Sequence, residues 1–158
     1  MDIGRIVTAA LAASICAVGL AGPASATDDI TQNALGTYKL DFSWGSYQWT
    51  AAPCADDAPQ CVLITQYGPK DVKMKYPNWS ANAYWSVGSW IIQGVPTPSA
   101  LKCNEDGSSH DLPVSYSWDA GTGAGFKSLF DPGICNGKPK SRSNPFTLTK
   151  IGPPPPTD

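Results

Sequence analysis

The chain has 158 residues, with 11 basic and 13 acidic side chains and a formal net charge of −2 at pH 7. This length suits a single domain. The balanced charge gives no basic field for nucleic acid and no strongly acidic surface, so the sequence predicts no nucleic-acid partner.

The first 26 residues have the pattern of a cleavable signal peptide. Arg5 precedes an apolar stretch from Ile6 to Gly22, and Ala24-Ser25-Ala26 is a small-residue cleavage site. Cleavage after Ala26 would leave 158 minus 26, or 132, residues. We expect residues 27–151 to form an exported β domain and residues 152–158 a proline-rich tail. The leader is short for a membrane span, and no second apolar run of about 18 residues follows it.

Two hairpins are predicted from alternating aromatic and polar residues. Residues 37–44 alternate with a period of two, which predicts a strand with one buried face. Gly45-Ser46 then fits a tight turn that places Trp44 opposite Tyr47. Farther along, Gly88-Ser89 predicts a second turn that places Trp85 opposite Ile92.

Other short runs rich in β-formers complete an all-β pattern, with no helical period outside the leader. They lie at residues 61–67, 72–76, 114–118, 126–130 and 146–151. With the hairpins they give about eight to ten strands separated by Gly and Pro. The predicted fold is a single antiparallel β-barrel or β-sandwich.

The cysteines indicate a fold stabilised by disulfides. Cys16 lies in the leader, and the mature chain keeps Cys54, Cys61, Cys103 and Cys135. An even number in an exported chain predicts two disulfides, and proximity in sequence favours pairing Cys54 with Cys61 and Cys103 with Cys135. Structural zinc sites use closely spaced pairs such as C-x2-C, and redox enzymes use C-x-x-C, and neither spacing occurs.

The sequence offers no catalytic constellation. His110 is the only histidine, and it lies directly between Ser109 and Asp111. A Ser–His–Asp triad is assembled from distant positions, so an exposed loop histidine is the favoured interpretation. The same loop carries Asn104 and Asp106 but lacks the ligand spacing of an EF-hand. We therefore predict no enzyme, no metal and no cofactor.

Sixteen aromatic residues raise the question of ligand binding. Most follow the predicted buried faces, which favours core packing. The candidate ligand-binding residues are Tyr84, which falls on a polar face, and Tyr47 and Trp49, which lie near a turn. In a closed barrel, inward tryptophans would instead line a cavity for an apolar ligand.

The order of several short landmarks resembles a set of small exported proteins of mycobacteria and related actinobacteria. The landmarks are Gly36-Thr-Tyr38, Pro53-Cys54 to Cys61-Val62, the segment around Trp85 and Trp90, Cys103, Tyr116-Ser-Trp118-Asp119, Pro132-Gly-Ile-Cys135 and Pro145-Phe-Thr-Leu148. The resemblance implies export and paired cysteines. It implies no catalytic or binding residue.

Three functional hypotheses follow. The first is an exported, monomeric, non-enzymatic β domain that binds a partner protein, an envelope component or a host molecule. The second is a carrier or sensor of an apolar small molecule, which a cavity lined by Trp79, Trp85 and Trp90 would favour and a filled interior would exclude. The third is a hydrolase that uses His110 with a nucleophile within hydrogen-bond reach.

Overall fold

The computed structural model of this protein describes residues 24–55 and 58–154, with side chains from Asp29 onward. Eight antiparallel strands form a closed barrel, so the all-β prediction is confirmed and the barrel is selected over the sandwich. Most of the predicted leader, including Cys16, and the end of the predicted tail lie outside the described residues. The elements are α1 (Ala24–Ala34), β1 (Gly36–Phe42), β2 (Gly45–Pro53), β3 (Cys61–Tyr67), β4 (Pro77–Ser86), β5 (Ser89–Lys102), β6 (Ser109–Asp119), β7 (Ala124–Asp131) and β8 (Lys140–Gly152).

The barrel has an up-and-down topology. Each strand pairs with the next one along the chain, and β8 returns to pair with β1. Leu40 shows the closure, because it lies opposite Tyr47 on β2 and opposite Leu148 on β8. Closure leaves no sheet edge at this seam. The shortest pairing joins β4 and β5, which meet only over Tyr84–Ser86 and Ser89–Ile91.

Alternation along the strands places the core inside the barrel. On β3, for example, Val62, Ile64 and Gln66 are buried, whereas the residues between them are partly exposed. Ile64 lies opposite Ala51 on one side and Ala81 on the other. Because cross-strand partners share a face, the inward side chains form layers around the barrel axis.

The two ends of the barrel differ in construction. The helix end carries α1 and the β2–β3, β4–β5 and β6–β7 connections. At the arm end, two hairpins extend past the pairing of their neighbours, because β6 pairs with β7 only from Val114 and β8 pairs with β1 only from Phe146. We call residues 96–113 and 130–145 the two arms.

Each end has one disulfide, and the predicted pairing is confirmed. Cys54 and Cys61 close the β2–β3 connection at the helix end, with their Cα atoms 5.7 Å apart. Cys103 and Cys135 join the two arms, with a Cα separation of 5.2 Å. The second bridge therefore fixes two projecting hairpins that the sheet itself leaves apart.

The predicted register of the β1–β2 hairpin was wrong. The turn consists of Ser43 and Trp44, so Phe42 pairs with Gly45 and Leu40 with Tyr47. Trp44 is 57% exposed and stacks on Phe42, with ring centroids 4.6 Å apart. Moving Trp44 from the strand to the turn leaves the predicted inward face unchanged, because the shift is an even number of residues.

The β4–β5 turn also differs from the prediction by one residue. It consists of Val87 and Gly88, both with positive φ (42° and 86°), as a type I′ turn requires. Trp85 therefore pairs with Trp90 rather than with Ile92. The two indoles meet edge to face with centroids 5.4 Å apart, a contact that offsets the unfavourable backbone of Val87.

Residues 72–76 were predicted as a strand and form a loop instead. Val72 and Tyr76 are 75% and 77% exposed, and Met74 has a φ of 50°. The chain turns because Asp71 bonds locally: its carboxylate accepts from the Tyr76 amide at 2.7 Å, and its carbonyl accepts from the Met74 amide at 3.0 Å. Local turn chemistry thus prevails over the alternating pattern.

The helix α1 was not predicted beyond the leader. It runs from Ala24 to Ala34 and so extends past the predicted cleavage point at Ala26. Within the described residues, no helix is long and apolar enough to span a membrane.

Candidate ligand-binding cavity

The middle of the barrel is filled by aromatic rings. Trp49 is fully buried at the centre and meets Trp79, Tyr116 and Phe146 with ring centroids 5.3 to 6.0 Å apart. We call these four residues the plug. The indole N–H of Trp49 donates to the Gln66 side-chain oxygen at 3.0 Å, so its polar atom is satisfied.

The plug packs against a glycine, and burial changes the pKa values of two side chains in or beside it. A Cβ on Gly125 would lie 2.5 Å from Phe146 Cζ, so the ring lies directly over the glycine backbone. Burial raises the pKa of Tyr116 and keeps its hydroxyl neutral. Burial also lowers the pKa of Lys127, which pairs with Tyr116 across β6 and β7.

Toward the helix end the interior is open. A cavity of about 580 Å³ lies between the plug and α1, and we call it the cup. This volume falls in the range typical of small-molecule sites. Its inner wall is mainly apolar: Ala51, Val62, Ile64, Trp85, Trp90, Trp118 and Leu148.

Three tryptophans form a continuous row on one side of the cup. Trp85 pairs with Trp90 across β4 and β5, and Trp90 pairs with Trp118 across β5 and β6. Trp118 also contacts Trp49 of the plug at 5.4 Å, so it separates the two regions. The wall also includes the small residue Ala51.

The β6–β7 turn, residues 120–123, forms part of the rim. The Asp119 carboxylate accepts from the amides of Thr122 and Gly121 at 2.7 and 3.0 Å, and these bonds hold its pKa below the usual range. The Gly123 carbonyl accepts from the Leu148 amide at 2.8 Å. A Cβ on Gly123 would lie only 2.0 Å from the Leu148 carbonyl oxygen, so only glycine fits this approach.

The helix α1 covers the mouth of the cup with Ile30, Asn33 and Ala34. Two barrel side chains bind its last carbonyls: the Tyr38 hydroxyl donates to Ala34 O at 2.7 Å, and Lys150 Nζ donates to Asn33 O at 3.3 Å. These bonds satisfy carbonyls that a helix end leaves unpaired. They also tie α1 to β1 and β8.

The structure separates the three predicted ligand-binding residues. Tyr84 lies on the outer wall, 56% exposed, and its hydroxyl accepts from Asn82 Nδ2 at 3.3 Å. Trp49 is in the plug, and Tyr47 is half-buried with its ring 6.1 Å from that of Phe42. None of the three lines the cup.

The predicted cavity tryptophans divide between the two regions. Trp85 and Trp90 line the cup, whereas Trp79 belongs to the plug. The third cup tryptophan is Trp118, which was assigned only to a strand. Its alternation with Tyr116 and Val114 indicated an inward position, but only the cross-strand register places it beside Trp90.

The His110 region has hydrogen bonds in the wrong direction for a serine nucleophile. Ser108 Oγ lies 2.9 Å from His110 Nε2 and 2.7 Å from the Asp106 carboxylate. Ser108 Oγ donates to this carboxylate, and the hydrogen bonds from Ser108 hold the pKa of Asp106 below its usual range. His110 Nε2 then donates to Ser108 rather than taking its proton. Asp111 instead accepts from the Ser99 amide at 2.7 Å.

The part of the chain described by the structure contains no group of three or more His, Cys, Asp or Glu residues that could hold a metal ion. Comparisons with protein-family models, with curated proteins and with solved structures gave no match to this chain.

Proposed function

We propose that this protein is an exported, non-enzymatic binding protein that holds a small apolar ligand in the cup. The observation that carries this proposal is the cavity of about 580 Å³, walled by Trp85, Trp90 and Trp118. Aromatic faces and aliphatic side chains favour an apolar molecule, because its transfer from water is driven by the hydrophobic effect.

The contrast with the plug supports a binding role for the cup. Protein interiors are normally close-packed, and the plug obeys that rule in the same barrel. An apolar cavity forfeits packing contacts, which lowers stability. A ligand in the cup would supply the contacts that the chain itself leaves out.

Export is part of the proposal. The two disulfides are typical of an oxidising compartment and accord with the leader pattern at the start of the sequence. The earlier prediction of a macromolecular partner stays a prediction. We place the small ligand first because the cup is a cavity with a defined apolar wall.

Binding of N-phenylnaphthylamine, a neutral apolar fluorophore, tests the proposal. We expect saturable binding by the folded protein with a rise in fluorescence and energy transfer from the tryptophan row. Trp85→Ala removes one aromatic face of the cup and should weaken binding between about threefold and tenfold.

Trp44→Ala is the matched control, because Trp44 is an exposed tryptophan at the arm end and does not line the cup. It should leave the affinity unchanged. Absence of saturable binding, or equal loss of affinity in both variants, would contradict the proposal. Native mass spectrometry of the exported protein should in addition show the added mass of a co-purified apolar molecule.

A further inference from the structure

We propose that the ligand of the cup is an amphipathic anion, an alkyl carboxylate whose chain lies against the tryptophan row and whose carboxylate binds Lys150. This inference rests on the proposed function, because it names the ligand class for the same cavity. It assigns to Lys150 the role of recognising the head group.

Lys150 is positioned at the rim by the strand that forms the cup wall. It lies two residues after Leu148 on β8 and therefore on the same face. A Cβ on Gly36 would lie 2.6 Å from Lys150 Cε, so the lysine stem packs against the glycine backbone. The ammonium lies 5.9 Å from the centre of the Tyr38 ring. The side chain is thus held beside the cavity.

The ammonium of Lys150 has donors to spare. It carries three N–H donors, and one of them binds Asn33 O at 3.3 Å. Among the residues with described side chains, the one ion pair joins Lys39 and Asp41 at 2.9 Å, so no described carboxylate neutralises Lys150. The Asp119 carboxylate, which precedes the rim turn at residues 120–123, is engaged by the amides of that turn.

The cup and Lys150 together favour one kind of ligand. The apolar wall favours an alkyl chain, and a cation beside a low-dielectric cavity favours a negative head group. A charge-assisted hydrogen bond is stronger than a neutral one, so a carboxylate should bind better than an alcohol of the same chain length. A cationic head group would be repelled by Lys150.

A purely structural role for Lys150 makes a different prediction. If the lysine only ties α1 to the barrel, its loss should weaken the binding of every apolar ligand to the same extent. If it binds the head group, its loss should abolish the preference for a carboxylate and leave the affinity for neutral ligands nearly unchanged.

The test compares decanoate, decanol and decyltrimethylammonium, which share a chain and differ in head-group charge. Binding to the exported protein is measured by tryptophan fluorescence or calorimetry. We expect decanoate to bind about tenfold more tightly than decanol and the cation to bind most weakly. Lys150→Met should remove the difference between decanoate and decanol, and Lys150→Arg should keep most of it.

Two further variants separate charge from tethering. Tyr38→Phe removes the other bond to α1 without changing the charge, and it should affect decanoate and decanol equally. Lys102→Met makes the same change of charge at the arm end, where Lys102 is exposed, and should change neither affinity. Circular dichroism checks that each variant is folded.

Equal affinity of the wild-type protein for decanoate and decanol would overturn this inference. So would a carboxylate preference that survives in folded Lys150→Met. Either result would leave the apolar cup intact as a binding site. Failure of all three decyl probes and of N-phenylnaphthylamine would instead overturn the proposed function itself.

Discussion

The plug and the cup occupy one barrel and follow the same inward alternation, yet one is filled and the other is open. In the plug, Trp49 meets aromatic rings from three other strands, and Phe146 closes onto the bare backbone of Gly125. In the cup, Trp85, Trp90 and Trp118 lie in a row along adjacent strands. Aromatic side chains in a row on neighbouring strands form one wall of a cavity. Aromatic side chains that converge from several strands fill the interior.

Because one region is filled and the other is open, we expect substitutions in the plug and in the cup to affect different properties of the protein. Trp49, Tyr116 and Phe146 of the plug are buried, so truncating any of them creates a new void. Cup residues already face a void, so truncating them enlarges an existing space and removes fewer contacts. Stability should therefore depend mainly on the plug and ligand affinity mainly on the cup.

The largest expected effect is on stability, in Trp49→Ala. Loss of this fully buried indole should cost about 3–5 kcal/mol, because the surrounding rings cannot collapse into the space. Trp85→Ala, at a half-buried position in the cup wall, should cost less than about 2 kcal/mol. Urea denaturation of both variants measures the difference. Equal losses would show that the plug and the cup are energetically alike.

The two disulfides extend the comparison to the ends of the barrel. In the loop-entropy model, replacing Cys103 and Cys135 by serine should cost about 3.7 kcal/mol, and replacing Cys54 and Cys61 about 2.5 kcal/mol, because the sequence separations are 32 and 7. Only the Cys54–Cys61 bridge lies at the helix end, where Cys61 is next to the cup residue Val62. We expect its removal to weaken N-phenylnaphthylamine binding and removal of the arm bridge to leave binding unchanged in the folded protein.

Alkaline pH should act through the buried tyrosines. Burial raises the pKa of Tyr116 above its ordinary value of 10.0, so the folded protein holds a proton that the unfolded chain releases. The stabilising contribution is complete below pH 10 and is lost as the pH rises toward the folded pKa, at up to about 1.4 kcal/mol per pH unit.

Urea denaturation between pH 9 and pH 11 checks this prediction. Tyr116→Phe, in the plug, should make stability less sensitive to pH. Tyr38→Phe, at the rim of the cup, should also make stability less sensitive to pH, but by a smaller amount. The reason is that burial also raises the pKa of Tyr38. A pH profile left unchanged by Tyr116→Phe would contradict the argument.

The smallest expected effect concerns the turn that joins two strands of the tryptophan row. Val87 has a φ of 42° and is 98% exposed, so it bears backbone strain without adding to the core. Val87→Asn should raise stability by about 1 kcal/mol, because asparagine followed by glycine suits a type I′ turn. Thermal denaturation measures the gain, and ligand affinity should not change. A loss of stability would show that Val87 has a packing role that its exposure conceals.

Much of the barrel could be predicted from period-two patterns. Residues 61–67 and 114–118 alternate or run apolar because one side faces the interior, and both lie within strands of the structure. Proximity in sequence favoured the two disulfide pairs that the structure shows. The candidate site was harder to predict from the sequence. Trp79 and Trp85 have the same alternation on β4, yet they lie in different regions of the barrel interior.

The sequence by itself determined the all-β class and the inward face of most strands, and it favoured one pairing of the cysteines, because these depend on local alternation and short separations. Only the tertiary structure decided the exact turns, the loop at residues 72–76, the position of α1 over the cup and the division between plug and cup. The turns and the loop depend on local hydrogen bonds and backbone geometry that an alternating pattern does not encode. The cup depends on cross-strand register, because Trp85, Trp90 and Trp118 become neighbours only when β4, β5 and β6 pair.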